Sequence, residues 1–152
     1  MVDDVSVSKI DDALGTLVRR AQVPRAQERV AARAGLALDR AAYPLLRGIS
    51  EHDTVRASEV AHDLSLDVST VSRQIKELEA DGLVARRPDP SDGRASVLTL
   101  TVAGTQALER LRQARRELLA EVLSGWDELD RQTLADLMCR LVDDFVAHQG
   151  SQ

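Results

Sequence analysis

Aromatic residues are nearly missing from this 152-residue chain: Tyr43, Trp126 and Phe145 are all there are, 2% of the total. Any core must therefore be aliphatic, built from the Leu, Val, Ile and Ala that dominate an apolar content of 43%. Cysteine is equally scarce. With Cys139 alone, no intrachain disulfide can form, and cytoplasmic residence is the expectation. Cys139 itself reads as a buried core thiol. No apolar run is long enough to span a membrane, and the acidic start MVDDVSVSKIDD is not a signal peptide. A basic excess is absent too, since the formal net charge is −5. Taken alone, that total argues against nucleic acid, because neutralising phosphates requires Lys and Arg.

Catalytic patterns are also lacking. There is no Gly-rich phosphate loop, no nucleophile–His arrangement and no carboxylate pair distinguishable from surface charge. His52, His62 and His148 are scattered without ligand spacing, and His62 beside Asp63 reads as helix surface. The chain is therefore expected not to be an enzyme and to hold neither metal nor cofactor.

What is present is helical periodicity. Ile10, Leu14, Leu17 and Val18 recur at helical spacing over residues 8–21, with Ser8 as the expected N-cap. Pro24 interrupts, a short helix comes next over 25–33, and Gly35 ends it. Residues 39–50 form the next expected helix, capped at Asp39 or Arg40, so that Pro44 falls near its first turn. Two long amphipathic helices are expected over 102–123 and 127–147, separated at Gly125-Trp126. One domain of this length does not need so many amphipathic helices to cover its core. The simplest way to bury their faces is a second copy, giving a two-fold homodimer; packing on the same chain is the alternative.

The most informative segment is residues 56–100, RASEVAHDLSLDVSTVSRQIKELEADGLVARRPDPSDGRASVLTL. Two short helices are expected, over 57–64 and 68–80, broken at Ser65-Leu66, with Asp67 capping the second. Val71, Ile75 and Leu78 face inward on that second helix. Its outer stripe is Ser69, Ser72, Arg73 and Lys76, flanked by Thr70 and Gln74. Small hydroxyls there permit close approach to base edges, and Arg73 has the fork for guanine O6 and N7. Gln74 suits adenine, and Lys76 suits a phosphate. An isolated helix with this stripe would be read as an ordinary solvated face. The hairpin pattern C-terminal to it decides otherwise. Gly82 is a C-cap, strands are expected over 83–86 and 95–100, and between them lies a projecting loop with two prolines and an Asp-Gly turn signal. Arg86 and Arg87 at its base suit phosphates. At its tip, Asp92, Gly93 and Arg94 suit a minor groove, with Asp92 either steadying the Arg94 guanidinium or simply forming the turn. The local charge allows this. Residues 67–76 and 86–94 each hold one more basic than acidic side chain, whereas residues 102–148 set six arginines against nine acids.

The string Ser69-Thr70-Val71-Ser72-Arg73, Leu78-Glu79, Asp81-Gly82-Leu83-Val84, Arg86, Asp89, Asp92, Arg94, Leu98-Thr99-Leu100-Thr101, Gly104 resembles the MarR family of bacterial transcription regulators. The flanking helices match the family in length and order. The resemblance implies a mainly α fold with a small β-hairpin wing: a single MarR-type domain over 1–152. Within it, 8–38 and 102–148 are dimerisation helices and 39–101 is the winged helix-turn-helix, with 56–80 the helix-turn-helix and 83–100 the wing. It further implies a dimeric repressor of a near-palindromic double-stranded operator, with base reading by Ser69, Thr70, Ser72 and Arg73 and minor-groove reading by Arg94. Many relatives release DNA when a small-molecule effector binds. Three departures stand out. The wing reads Asp-Gly-Arg where many relatives carry Asp-Arg-Arg. Arg56 occupies a position where relatives often have a capping Ser or Thr. The shortage of rings leaves little for an aromatic effector to stack on. The acids Glu77, Glu79 and Asp81 at the end of the reading helix motivate the competing reading, a winged-helix protein–protein module without specific DNA binding.

Overall fold

The computed structural model describes residues 4–21, 23–39 and 41–149. These form α1 (Asp4–Ala21), α2 (Pro24–Arg33), α3 (Ala42–Ser50), α4 (Ala57–Asp63), α5 (Val68–Ala80), the strands β1 (Val84–Pro88) and β2 (Ser96–Leu100), α6 (Val102–Val122) and α7 (Glu128–Gln149). The mainly helical fold with one hairpin is the architecture expected from the sequence. The chain divides into two compact units, Met1–Arg115 and Arg116–Gln152.

The core of the first unit is wholly aliphatic. Leu45, Leu46, Ile49, Val55, Val60, Val71, Ile75, Leu98 and Leu108 are its fully buried side chains. They come from α3, the segment before α4, α4, α5, β2 and α6, so the helix-turn-helix and its hairpin share one core. Tyr43 stays half-buried at the margin, where the Arg115 guanidinium lies 4.5 Å from its ring centroid, a cation–π contact.

Helix ends obey local chemistry, with some departures from expectation. Helix α1 starts at Asp4, not at Ser8. Val7 extends the Ile10 stripe back by one turn, and lengthening an existing helix costs little. Pro24 opens α2 at its first turn, where its missing N–H is no loss. Helix α3 begins at Ala42 without a side-chain cap, the Asp39 carbonyl accepting the Ala42 N–H at 3.0 Å; Arg40 lies outside the described residues. Pro44 then sits in the first turn, where no intrahelical N–H is required. Asp67 takes the N-cap position of α5 but makes no side-chain cap hydrogen bond.

The helix-turn-helix break is a left-handed residue. Ser65 has φ 52°, and the Leu66 N–H donates to the Ala61 carbonyl at 2.8 Å while the Ser65 N–H reaches the His62 carbonyl at 3.0 Å. This is the paired bonding that closes a helix on a left-handed residue, normally glycine. Gly82, φ 72°, ends α5 in the same manner, through Leu83 N–H to Leu78 and Gly82 N–H to Glu79.

The hairpin ladder reaches two residues further along the first strand than expected, to Pro88, and starts one residue later on the second, at Ser96. Its register runs from Val84 opposite Leu100 to Pro88 opposite Ser96, so Arg87 lies inside the ladder and not in the loop. Pro88 is tolerated because it ends an edge strand. Val55 adds a bridge to Leu98, each N–H donating to the other's carbonyl at 3.2 and 2.8 Å. The segment before α4 is thereby stitched to the wing.

In the second unit, every described side chain of α7 from Glu128 to His148 is exposed. Asp127 caps this helix, its Oδ1 accepting the Asp130 N–H at 2.8 Å. Among the described residues, no helix is long and apolar enough to cross a membrane.

Candidate nucleic-acid interface

The inward stripe of α5 decides which of its side chains face out. With Val71, Ile75 and Leu78 buried, the 3.6-residue period turns Ser69, Arg73 and Lys76 to the opposite side, and all three are exposed. Thr70 and Ser72 are half-buried on the flanks. Among the described residues, no hydrogen bond or ion pair engages the Arg73 guanidinium or the Lys76 ammonium. Because Asp67 makes no side-chain cap bond, the first-turn N–H groups of α5 lack a side-chain acceptor. Such donors at a helix N-terminus suit a phosphate oxygen.

Gln74, expected on the flank of the outer stripe, turns its amide oxygen inward. Its Oε1 is buried without a hydrogen-bond partner among the described residues, beside a cavity of about 30 Å³ lined by Leu38, Asp39, Leu45, Glu77 and Asp81, among others. Gln74 lies three residues after Val71 and four before Leu78, both buried, and that spacing puts it on the side of α5 that faces Ala42 and Leu45 of α3 across the cavity. It is not placed to pair with adenine.

Arg86 also differs from expectation. Its Nε and Nη2 donate to the Glu79 carboxylate at 3.1 and 3.3 Å, and its Nη1 donates to Ser96 Oγ at 2.9 Å. The guanidinium therefore braces the end of α5 against both strands of the hairpin. The same pair neutralises Glu79, one of the acids that count against DNA. Arg87 is exposed and, among the described residues, has no such partner.

At the wing tip, Asp92 is a turn-former. Its Oδ1 accepts the backbone N–H of Arg94 at 3.1 Å, and its carbonyl accepts the Ala95 N–H at 2.9 Å. The Arg94 side chain is exposed, and among the described residues its guanidinium has no partner. Asp92 shapes the backbone under Arg94 and leaves the charge free. A Cβ at Gly93 would meet nothing within 4 Å.

Sequence reasoning missed the clamp at the wing base. Arg56 Nε donates to Asp89 Oδ2 at 2.8 Å, and Nη2 donates to the same oxygen. Asp89 Oδ1 accepts the Ser91 N–H at 2.8 Å and the Ser91 hydroxyl at 2.7 Å. Asp89 is buried, at 8% exposure. Its carboxyl is held well below the usual carboxylate range, by the Ser91 hydroxyl first, then by the Ser91 N–H and Arg56. The stabilisation is thus complete above the ordinary carboxylate pKa and is lost as the pH falls toward the depressed one. At the other end of the clamp, Arg56 occupies the N-cap of α4, and Glu59 Oε2 accepts its backbone N–H at 2.7 Å. Half of a capping box survives, and the side chain that would have capped the helix reaches the wing instead.

Of the three histidines, the structure brings two to one carboxylate: His52 Nε2 lies 3.8 Å, and His62 Nδ1 3.4 Å, from Asp63. Among the described residues, no group of three His, Cys, Asp or Glu could hold a metal ion. Cys139 is exposed on α7, not buried as expected.

Comparison with known proteins decides the family. The sequence profile of the MarR family matches residues 38–96, a span from just ahead of α3, through α4 and α5, to the start of β2. The HTH-type transcriptional regulator YxaD of Bacillus subtilis is 37% identical over 140 residues, 92% of this chain and 95% of that protein. The chain belongs to the MarR family. It is a winged helix-turn-helix transcriptional regulator, and regulators of this family are DNA-binding proteins, not enzymes. The transcriptional repressor IacR of Pseudomonas putida is 30% identical over 97 residues, 64% of this chain and 58% of that one. A MarR family protein from Bacillus stearothermophilus has the same fold, with a TM-score of 0.80 at 16% identity over 96% of this chain and 99% of that one. The MarR-family match covers Ser69 to Arg94, and so takes in the helix-turn-helix and the wing as far as the start of β2.

Proposed function

We propose that the chain acts as a cytoplasmic homodimer that binds a near-palindromic site in duplex DNA and represses transcription by occupying the promoter. The observation that carries this reading is the exposed Arg73, unpaired among the described residues, between Ser69 and Lys76 on the outer face of α5. A recognition helix presents such residues to base edges in the major groove. In this reading Ser69, Thr70, Ser72 and Arg73 read bases, Lys76 and Arg87 hold phosphates, and Arg94 enters a flanking minor groove. Arg86 braces the end of the reading helix through Glu79, and Gln74, with its amide oxygen turned inward, is not one of the readers. The neutralised Glu79 weakens the alternative of a protein–protein module.

The dimer is supported by surfaces that one copy leaves open. Leu137, Leu141 and Phe145 on α7 are 50%, 38% and 61% exposed, and Ile10 and Leu17 on α1 are likewise exposed. An amphipathic helix whose apolar side chains stay exposed along its length is marginal in water without a partner. A second copy supplies matching faces by symmetry. Two reading helices must then lie one DNA turn apart, roughly 34 Å. The name of IacR supports repression, and release by a small-molecule effector rests on family resemblance. An effector that alters the spacing would lower affinity without touching a base.

Leu141→Asp tests this account. The variant should shift from two chains to one in analytical ultracentrifugation. Its affinity for a duplex selected by the wild type from a random pool should fall more than a hundredfold, because one reading helix loses the contacts of the other. A monomeric variant that binds as the wild type does would refute the dimeric reader.

A further inference from the structure

Arg94 is useful in a minor groove only if the hairpin that carries it is held at a fixed angle to α5. Among the described residues, two arginine–carboxylate pairs tie the hairpin to the helices. One is Arg86, which ties β1 to Glu79 of α5 and to Ser96 of β2. The other is Arg56, at the N-cap of α4, which binds Asp89 beyond the end of β1. The second lies nearer the tip. The Asp89 N–H donates to the Ala95 carbonyl at 3.0 Å, and its carboxylate orders Ser91. The segment Asp89–Ala95, with Arg94 in it, therefore closes on the residue that Arg56 holds.

We infer that Arg56 is a positioning residue for DNA reading, which aims the Arg94 side chain by clamping Asp89 to the start of the helix-turn-helix. This rests on the proposed minor-groove role of Arg94. A serine or threonine at position 56 would cap α4 through its hydroxyl but could not reach Asp89 with two donors. Arginine gives up the side-chain cap and spans from α4 to the wing with a planar fork suited to a carboxylate. The Val55–Leu98 bridge next to it holds the backbone from which that fork extends. Without the clamp, the hairpin remains anchored through Arg86 and its ladder, while the tip gains freedom and Arg94 is no longer preorganised.

Arg56→Ser separates positioning from folding, since it restores a helix cap while deleting the clamp. Two duplexes are used, both selected by the wild-type dimer from a random pool: one full length, one trimmed of the outer base pairs that Arg94 would reach. Hydroxyl-radical footprinting reads minor-groove protection at the flanks. Arg56→Ser is expected to remain a folded dimer, to lose flank protection, and to bind the full duplex about tenfold more weakly. On the trimmed duplex it should match the wild type. The swap Arg56→Asp with Asp89→Arg should recover part of the flank protection, a result that a purely structural role would not give. Flank protection by Arg56→Ser equal to that of a protecting wild type overturns the role of Arg56 alone. A wild type that binds without protecting the flanks overturns the minor-groove role of Arg94 and this inference with it.

Discussion

Arg73→Ala is expected to lower affinity for a selected operator by a hundredfold or more without changing fold or dimerisation. A bidentate arginine–guanine contact is worth about 1–3 kcal/mol, and a two-fold dimer loses it at both half-sites. A hundredfold is about 2.7 kcal/mol, the lower part of that doubled range. Because no partner within the described residues holds the guanidinium, removing it leaves no orphaned group in the protein. The loss should therefore appear in binding and not in thermal stability. Arg73→Lys should be nearly as damaging for sequence preference, since it keeps the charge but not the fork. Fluorescence anisotropy on matched and mismatched duplexes measures both quantities. An Arg73→Ala variant within threefold of the wild type would remove this residue from the reading surface.

Gly104→Ala is expected to act on the fold, and strongly. Helix α6 starts against the end of α5: the Thr101 N–H donates to the Leu83 carbonyl at 3.1 Å, and the Thr101 hydroxyl donates to the Gly82 carbonyl at 2.6 Å. The same hydroxyl oxygen accepts the Gly104 N–H at 3.0 Å. Gly104 is thereby pressed onto the Leu83 backbone. A Cβ there would overlap the Leu83 carbonyl oxygen and come 2.9 Å from its carbonyl carbon. Backbone cannot rotate aside as a long side chain can. We expect a loss of about 3 kcal/mol or more, the upper range for overpacking, and a fall in melting temperature of roughly 6–12 °C at fixed protein concentration. Gly93→Ala is the control, because its Cβ would stand in open space and should shift the melting temperature by no more than about 1 °C. Equal melting temperatures for the two variants would contradict the close approach at Leu83.

Much of this fold is legible in the sequence because its signals are local. The bounds of α5 come from Asp67, the Val71–Ile75–Leu78 stripe and Gly82, all within or beside one helix. The outward position of Ser69, Arg73 and Lys76 comes from the same period. The illegible part depends on residues far apart in the chain. Arg56 and Asp89 are separated by 33 positions, and no periodicity announces their pairing; the hint is an arginine where a capping hydroxyl is usual. Val55 and Leu98 are joined only by the fold. Read singly, Glu79 is an unfavourable acid and Arg86 a phosphate ligand, and the turn at Gly82 cancels both readings by bringing them together. Gln74 is misplaced by the sequence pattern because a flank position on a helix can turn either way, and the neighbouring α3 decides which.

In the proposed dimer, two copies of one reading surface engage DNA together. The most direct measurement is selection of bound duplexes from a random-sequence pool by the full chain, followed by sequencing. The enriched duplexes should carry a near-palindromic motif of two inverted half-sites whose centres lie about 10 base pairs apart, with an A·T preference at the flanks where Arg94 would sit. A single asymmetric half-site, or no enriched sequence at all, would contradict it.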